Sequence, residues 1–283
     1  MRRRMFLHPR HFAGLVSLSA LVFTAAAEEP RRSETPATEA TAAADLAHIR
    51  EELGVNQFTA PSIASLCAEL EALAPFPFEK VWRDLPDATP HDRPRLALAT
   101  GQIIADGFLV VAAQKQSRLE PVGRLLLRYA KGLGVGNRVT RQSRSIMELA
   151  ARQRWGEIQR ELVKAQAEVE AGMMQLKDEE IAHLVSLGGW LRGLEIASTA
   201  VTESYTPQRA ARLSEPELFG YFLERVETLQ PALRSTPLFE TLVTNLRAAR
   251  ALIQNAERQP LTPANSKALR DLSRVMNRAI ENQ

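Results

Sequence analysis

The chain has 283 residues, and its 36 Lys and Arg residues against 33 Asp and Glu residues give a formal net charge of +3. Four arginines and no acidic residue lie in residues 1–27, which leaves 32 basic against 33 acidic residues in the remainder, a net charge of −1. A near-neutral chain lacks the broad basic field of proteins that bind nucleic acids or anionic membranes, so we expect no nucleic-acid partner. The single cysteine, Cys67, excludes an internal disulfide bond.

Residues 1–27 have the pattern of a cleavable signal peptide. Arg2, Arg3, Arg4 and Arg10 form a basic region, and a short apolar stretch covers residues 12–24. The small residues 25–27 follow, as signal peptidase requires, so we expect cleavage after Ala27 and export to the periplasm or the medium. An uncleaved N-terminal anchor is the alternative.

Residues 28–44 are rich in Pro, Thr, Ala and Glu and contain no large apolar residue. Such a composition cannot bury enough surface to offset its ordering entropy, so it predicts a disordered tether. Residues 45–283 show helical periodicity and no sustained alternation, which predicts an all-α multi-helix bundle of about nine to ten helices. The bundle is one domain or two lobes that divide near residues 132–137.

Apolar residues at three-to-four spacing predict the amphipathic helices of this domain in chain order. The predicted helices cover residues 46–53, 61–73, 78–85, 121–133, 139–150, 158–176, 218–229, 238–253 and 269–280. Cys67 lies on the apolar face of the second, where we expect it to be buried. Pro121 is expected to open its helix, Gly132 to end it, and Lys177-Asp178 to form a hairpin, although a continuous helix there stays open.

Two further segments, about 96–113 and 179–204, are apolar on almost every face, which predicts the buried centre of the bundle. Each charged residue in them would cost roughly 2.5–3.5 kcal/mol at a bilayer centre, so we expect no transmembrane helix in the mature chain. The small residues Gly101, Ala105, Gly189 and Gly193 should let the two helices approach closely.

Buried charges within the two central helices must be paired. Arg192 and Glu195 are three residues apart on one helix, and Gln102 and Asp106 are four apart on the other. We therefore expect a structural network of Asp106, Arg192 and Glu195 between these helices. The same cluster could instead bind a small ligand, since perturbed charges concentrate in functional sites.

Glu180 and His183 have the spacing of two metal ligands on one helical face, as in ferritin-like carboxylate-bridged sites. Such sites need a second Glu-x-x-His pair, and the remaining candidate, Asp45 with His48, points away from its apolar stripe. The alternative is a core histidine and a first-turn acid that complements the helix dipole. We expect no cofactor.

The segment Glu203-Ser204-Tyr205-Thr206-Pro207 resembles the start of the catalytic motif of lysozyme-like lytic transglycosylases. The resemblance implies that Glu203 is a general acid acting on peptidoglycan. It covers five residues, and the downstream Gly-Leu-Met-Gln-type segment is replaced by QRAARLSEPELFGYF. The alternative is a surface acid at a helix C-terminus.

The combined features predict an exported, non-catalytic helical module of the cell envelope with an interaction or structural role. Its partner would be another envelope protein or an unknown small ligand. The alternative is a periplasmic helical binding protein for a small ligand or metal, and a peptidoglycan-active enzyme is the third possibility.

Overall fold

The computed structural model of the chain describes residues 72–73, 77–254 and 260–282. All of these belong to a compact unit that extends from Thr41 to Gln283. The predicted signal peptide, the predicted tether, the helix at 46–53 and almost all of the helix at 61–73, with Cys67, lie outside the described residues.

The described residues form helices, most of them joined by short turns, with no strand among them, and the prediction of an all-α multi-helix bundle is confirmed. The helices are α1 Phe78–Val81, α2 Arg93–Ala112, α3 Gln116–Gly132, α4 Gly136–Ala151, α5 Trp155–Gln175, α6 Glu179–Glu203, α7 Pro207–Ala211, α8 Pro216–Glu227, α9 Pro231–Arg234, α10 Pro237–Ile253 and α11 Pro263–Glu281.

Four consecutive turns, from α2 to α6, end their helices in the same way. The second residue after each helix has a left-handed backbone: Gln114, Gly134, Gln153 and Lys177, with φ between 53° and 88°. The next amide donates to the carbonyl five residues earlier, as Asp178 N does to Met173 O at 3.0 Å. The hairpin at Lys177-Asp178 is therefore a true turn and not continuous helix.

The sequence prediction placed the start of α3 at Pro121, and this is wrong. The helix begins at Gln116, directly after the left-handed turn at Gln114, and Pro121 lies inside it. The earlier start buries Leu119 in the core. That buried apolar contact offsets the hydrogen bond that the proline ring cannot donate.

The centre of the bundle is formed by α2 and α6, which run in the same direction and cross closely. Every residue of α2 from Leu96 to Val111 is buried. A Cβ atom added to Gly101 would lie 2.0 Å from the carbonyl oxygen of Val185, and one added to Gly188 would lie 2.0 Å from that of Leu98. The predicted close approach is confirmed, with Gly188 as a contact that the sequence did not single out.

Among the described helices, α2 is long and apolar enough to cross a membrane by length and composition, with a mean hydropathy of 1.4. However, 89% of its apolar window is buried inside the protein. This burial is what a core helix shows.

Candidate functional site

The structure brings Asp106, Arg192 and Glu195 together between α2 and α6. Arg192 Nε donates to Asp106 Oδ1 at 2.7 Å, and Arg192 Nη1 donates to Glu195 Oε2 at 2.8 Å. The side chains of Arg192 and Asp106 are 1% and 0% exposed. Arg192 also donates to the backbone carbonyl of Val81. We call the cluster of Asp106, Arg192 and Glu195, together with Arg83, Glu281, Gln102, Asn277 and Arg274, the central ion-pair network.

Arg83 completes the network, and the sequence analysis missed it. Its Nε donates to Asp106 Oδ2 at 2.9 Å, and it also pairs with Glu281 at the end of α11. The helix predicted over 78–85 ends at Val81, since the backbone at Trp82 is extended with ψ of 143°. This early end carries Arg83 toward α2, and no helical periodicity could have revealed it.

Helix α11 joins the network through Asn277 and Arg274, which the sequence analysis did not single out, whereas Gln102, the partner of Asn277 on α2, was among the predicted residues. Gln102 Nε2 donates to Asn277 Oδ1 at 2.7 Å, and Asn277 Nδ2 donates to the Leu191 carbonyl at 2.9 Å. Arg274 lies 3.6 Å from Glu195. The available signal was a polar residue on the apolar face of α11, where a buried amide needs partners.

The opposite charges of the central ion-pair network are paired with one another. Burial alone would raise the pKa of the Asp106 carboxyl, but Arg192 and Arg83 outweigh it and hold that pKa below its usual value. Burial would likewise lower the pKa of Arg192, and the adjacent Asp106 and Glu195 carboxylates raise it instead. Since the charges satisfy one another and none of these residues lines a cleft described below, the geometry favours a structural clamp over a ligand site.

A separate cleft of about 230 Å³ lies between the first half of α6 and helix α8. We call it the α6/α8 cleft. It is lined by Glu179, Glu180, His183, Leu184, Leu187, Phe222, Arg225, Val226, Thr228 and Leu229. Both predicted metal-site residues therefore border the same opening, together with Arg225 from the facing helix.

The polar groups of the α6/α8 cleft form a short chain. The guanidinium of Arg225 lies over the ring of Tyr221 at 5.4 Å, and the Tyr221 hydroxyl is 3.3 Å from His183 Nδ1. Burial, assisted by the positive charge of Arg225, lowers the pKa of His183 to about 4. Burial also raises the pKa of Tyr221. At neutral pH both rings are uncharged, and Arg225 carries the positive charge.

The hydrogen-bonding roles of these groups differ. A guanidinium only donates, and that of Arg225 lies against the face of the Tyr221 ring as a cation–π contact. The contact between the Tyr221 hydroxyl and His183 Nδ1 can form with either tautomer of the neutral imidazole. The Arg225 guanidinium is therefore the fixed hydrogen-bond donor of the cleft lining.

A metal ion at Glu180 and His183 would lie in the same cleft as Arg225, whose positive charge offsets part of the attraction of the Glu179 and Glu180 carboxylates. Within the described residues, no three His, Cys, Asp or Glu side chains are grouped as metal ligands. Glu179 and Glu180 are instead exposed acids in the first turn of α6, where they complement the helix dipole.

The segment from Glu203 to Pro207 joins two helices. Glu203 is the last residue of α6 and forms an ion pair with Lys80. Tyr205 donates its hydroxyl proton to the Leu261 carbonyl at 2.9 Å, and Thr206 caps α7 by accepting from Arg209 N at 3.1 Å. These contacts are those of a helix end and its cap.

Two further openings lie elsewhere among the described residues. An apolar one between α2, α3, α4 and α5 has a volume of about 20 Å³, which is room for about one water molecule. An open depression of about 930 Å³ lies along α8, α9 and α10, and its Glu227 and Arg247 are paired with each other. Neither combines an enclosed apolar floor with an unpaired charge.

No family model matches this chain, and neither a curated protein nor a solved structure matches it. Function is therefore inferred from the chemistry of the described residues. Among the openings just described, the α6/α8 cleft is the one that unites apolar surface with converging polar groups.

Proposed function

We propose that the chain is an exported, non-catalytic helical module of the cell envelope that acts by binding, with the α6/α8 cleft as its binding site. Export is supported by the basic, apolar and small-residue order of residues 1–27. Binding is supported by the geometry of the cleft. The two helices that form it rest on the packed α2/α6 centre and on the core residues of α8.

The observation that carries this proposal is the state of Arg225. Its guanidinium is partly buried against Tyr221, and no carboxylate among the described residues forms an ion pair with it. A charge that is partly removed from water favours a partner of opposite sign, and the cleft leaves room for a ligand to supply that partner. Arg192 and Arg83 show the contrast, since both are paired within the central ion-pair network.

A rigid helical frame suits a binding role. The α2/α6 crossing and the central ion-pair network fix α6 along its length, so the α6 wall of the cleft is held before any ligand arrives. A pre-formed site loses less entropy on binding than one that must be ordered. The affinity for a ligand therefore depends mainly on the contacts that the cleft makes with it.

The direct test is native mass spectrometry of protein isolated from the exported fraction of its own cells. We expect a chain that starts at Glu28 and retains a bound mass, which is lost in Arg225→Gln. The matched control is Arg278→Gln, which removes an exposed arginine of α11, a helix that contributes no residue to the cleft. A full-length chain in the cytoplasmic fraction, or a bound mass that Arg225→Gln leaves in place, would contradict the proposal.

A further inference from the structure

The α6/α8 cleft has two chemically different parts. Its floor is apolar and consists of Leu184, Leu187, Phe222, Val226 and Leu229. Phe222 is itself backed by Trp190, whose ring stacks on it at 4.8 Å. The polar part contains the Arg225 guanidinium and the His183 imidazole. A ligand that fills the cleft must therefore carry both an apolar body and a polar end.

The polar end of the ligand must accept hydrogen bonds. Arg225, which lines the cleft, offers only donors and carries a positive charge. A guanidinium matches the two oxygens of a carboxylate in geometry as well as in charge. A ligand ammonium group placed against Arg225 would instead meet a group that only donates and carries a positive charge, and it would find its acceptors only at the exposed carboxylates of Glu179 and Glu180.

The rim of the cleft limits the charge of the ligand. Glu179 and Glu180 are exposed in the first turn of α6, so the ionisable lining, with one guanidinium, carries a net charge of −1 at neutral pH. A dianion such as phosphate would bring a second negative charge, for which the lining contains no further cation. A group with a single negative charge can pair with Arg225 and keep its distance from the rim.

The volume limits the size of the ligand. If the opening of about 20 Å³ has room for about one water molecule, a cleft of about 230 Å³ has room for on the order of ten groups of that size. Three of the ligand's non-hydrogen atoms form a carboxyl group, so an apolar part of about five carbons fits. Such a chain is long enough to contact the leucines of the floor.

We propose that the α6/α8 cleft binds a monocarboxylate with a short apolar chain, its carboxylate on Arg225 and His183 and its chain on the apolar floor. This inference rests on the proposed binding function and specifies its ligand class.

The test is isothermal titration of the mature chain, residues 28–283, with hexanoate, hexanamide and hexylamine. These probes share one apolar chain and differ in the charge of the polar end. We expect hexanoate to bind with a dissociation constant of about 1 mM or tighter. Hexanamide should bind at least roughly tenfold more weakly than hexanoate, since it loses the charge-assisted hydrogen bonds.

Variants locate the binding site. Arg225→Gln should weaken hexanoate binding roughly ten- to a hundredfold, whereas Arg225→Lys should restore part of it because the charge is kept. Arg278→Gln should leave the affinity unchanged. Circular dichroism and thermal melting of each variant show that the fold is retained, and Arg225→Lys keeps the test decisive if Arg225→Gln does not fold.

The outcomes separate the two proposals. Hexylamine binding that depends on Glu180 would overturn the monocarboxylate inference and leave the cleft as a binding site. Hexanoate binding that Arg225→Gln does not change would also overturn it. If no probe binds while the exported protein still carries an Arg225-dependent mass, the binding function stands and the ligand class is wrong.

Discussion

Substituting Gly188 by alanine should destabilise the protein strongly, because the close crossing of α2 and α6 leaves no room for a methyl group. The added Cβ would lie 2.0 Å from the Leu98 carbonyl oxygen, 2.7 Å from its carbonyl carbon and 2.8 Å from its Cα. All three are backbone atoms, so no side-chain rotation can relieve the overlap. The helices would have to separate by more than an ångström to restore ordinary contact.

The magnitude follows from two opposing effects. Overpacking in a core typically costs about 1–3 kcal/mol and occasionally more, and the rigid backbone contact places Gly188→Ala at or above the top of that range. The better helix propensity of alanine returns about 1 kcal/mol. We expect a net loss of about 2–3 kcal/mol in the free energy of unfolding, which corresponds to roughly 5–10 °C in melting temperature for a domain of this size.

Urea denaturation followed by circular dichroism at 222 nm measures this loss. Gly123→Ala in α3 is the matched control, since an added Cβ there meets no atom within 4 Å. It should stabilise the protein by up to about 1 kcal/mol through helix propensity. If Gly188→Ala proved as stable as the Gly123→Ala control, the close crossing of α2 and α6 would be refuted.

Three further predictions concern the network, the turns and the cleft. Arg192→Ala leaves Asp106 buried without its main partner and should lower the free energy of unfolding by about 3–5 kcal/mol. The control Arg247→Ala, at an exposed ion pair, should lower it by less than about 1 kcal/mol. Equal urea midpoints for the two variants would show that the network is not buried. Lys177→Gly replaces a non-glycine residue that has a left-handed backbone, with φ of 54°, and should stabilise the folded protein by about 0.5–1 kcal/mol. A lower melting temperature than that of the unmodified protein would contradict the turn geometry. The pKa of His183 is lowered from 6.5 to about 4 in the folded chain, so between these values the unfolded state binds more protons and stability falls as the pH falls. His183→Gln should flatten this part of the pH profile of unfolding, and an unchanged slope would argue against a buried neutral imidazole.

The helices and their centre were predictable from the sequence because their signals are local. Periodicity of apolar residues gave the amphipathic helices, and the lack of a polar face marked α2 and α6 as central. The charges at Asp106, Arg192 and Glu195 could be associated because buried charges within two packed helices must find partners. Small residues indicated the close approach, although Gly188 was found only from the backbone contacts.

The rest depended on contacts that local patterns do not encode. Arg83 lies in an extended segment after α1, where helical spacing has no predictive value. The start of α3 was misplaced because Pro121 has the appearance of a first-turn proline, while the turn at Gln114 lacks the usual glycine. The α6/α8 cleft escaped notice since Arg225 is distant in sequence from His183, and only the packing of α8 on α6 brings them together.

The most direct test of the account is the NMR signal of His183 Hε1 during a titration with hexanoate. A mature chain labelled at histidine has three such signals, from His48, His91 and His183, and His183→Gln assigns the one of interest. We predict a saturable shift of the His183 signal that disappears in Arg225→Gln and persists in Arg278→Gln. A His183 signal that does not move at saturating hexanoate, or one that moves equally in both variants, would contradict the assignment of the α6/α8 cleft as the binding site.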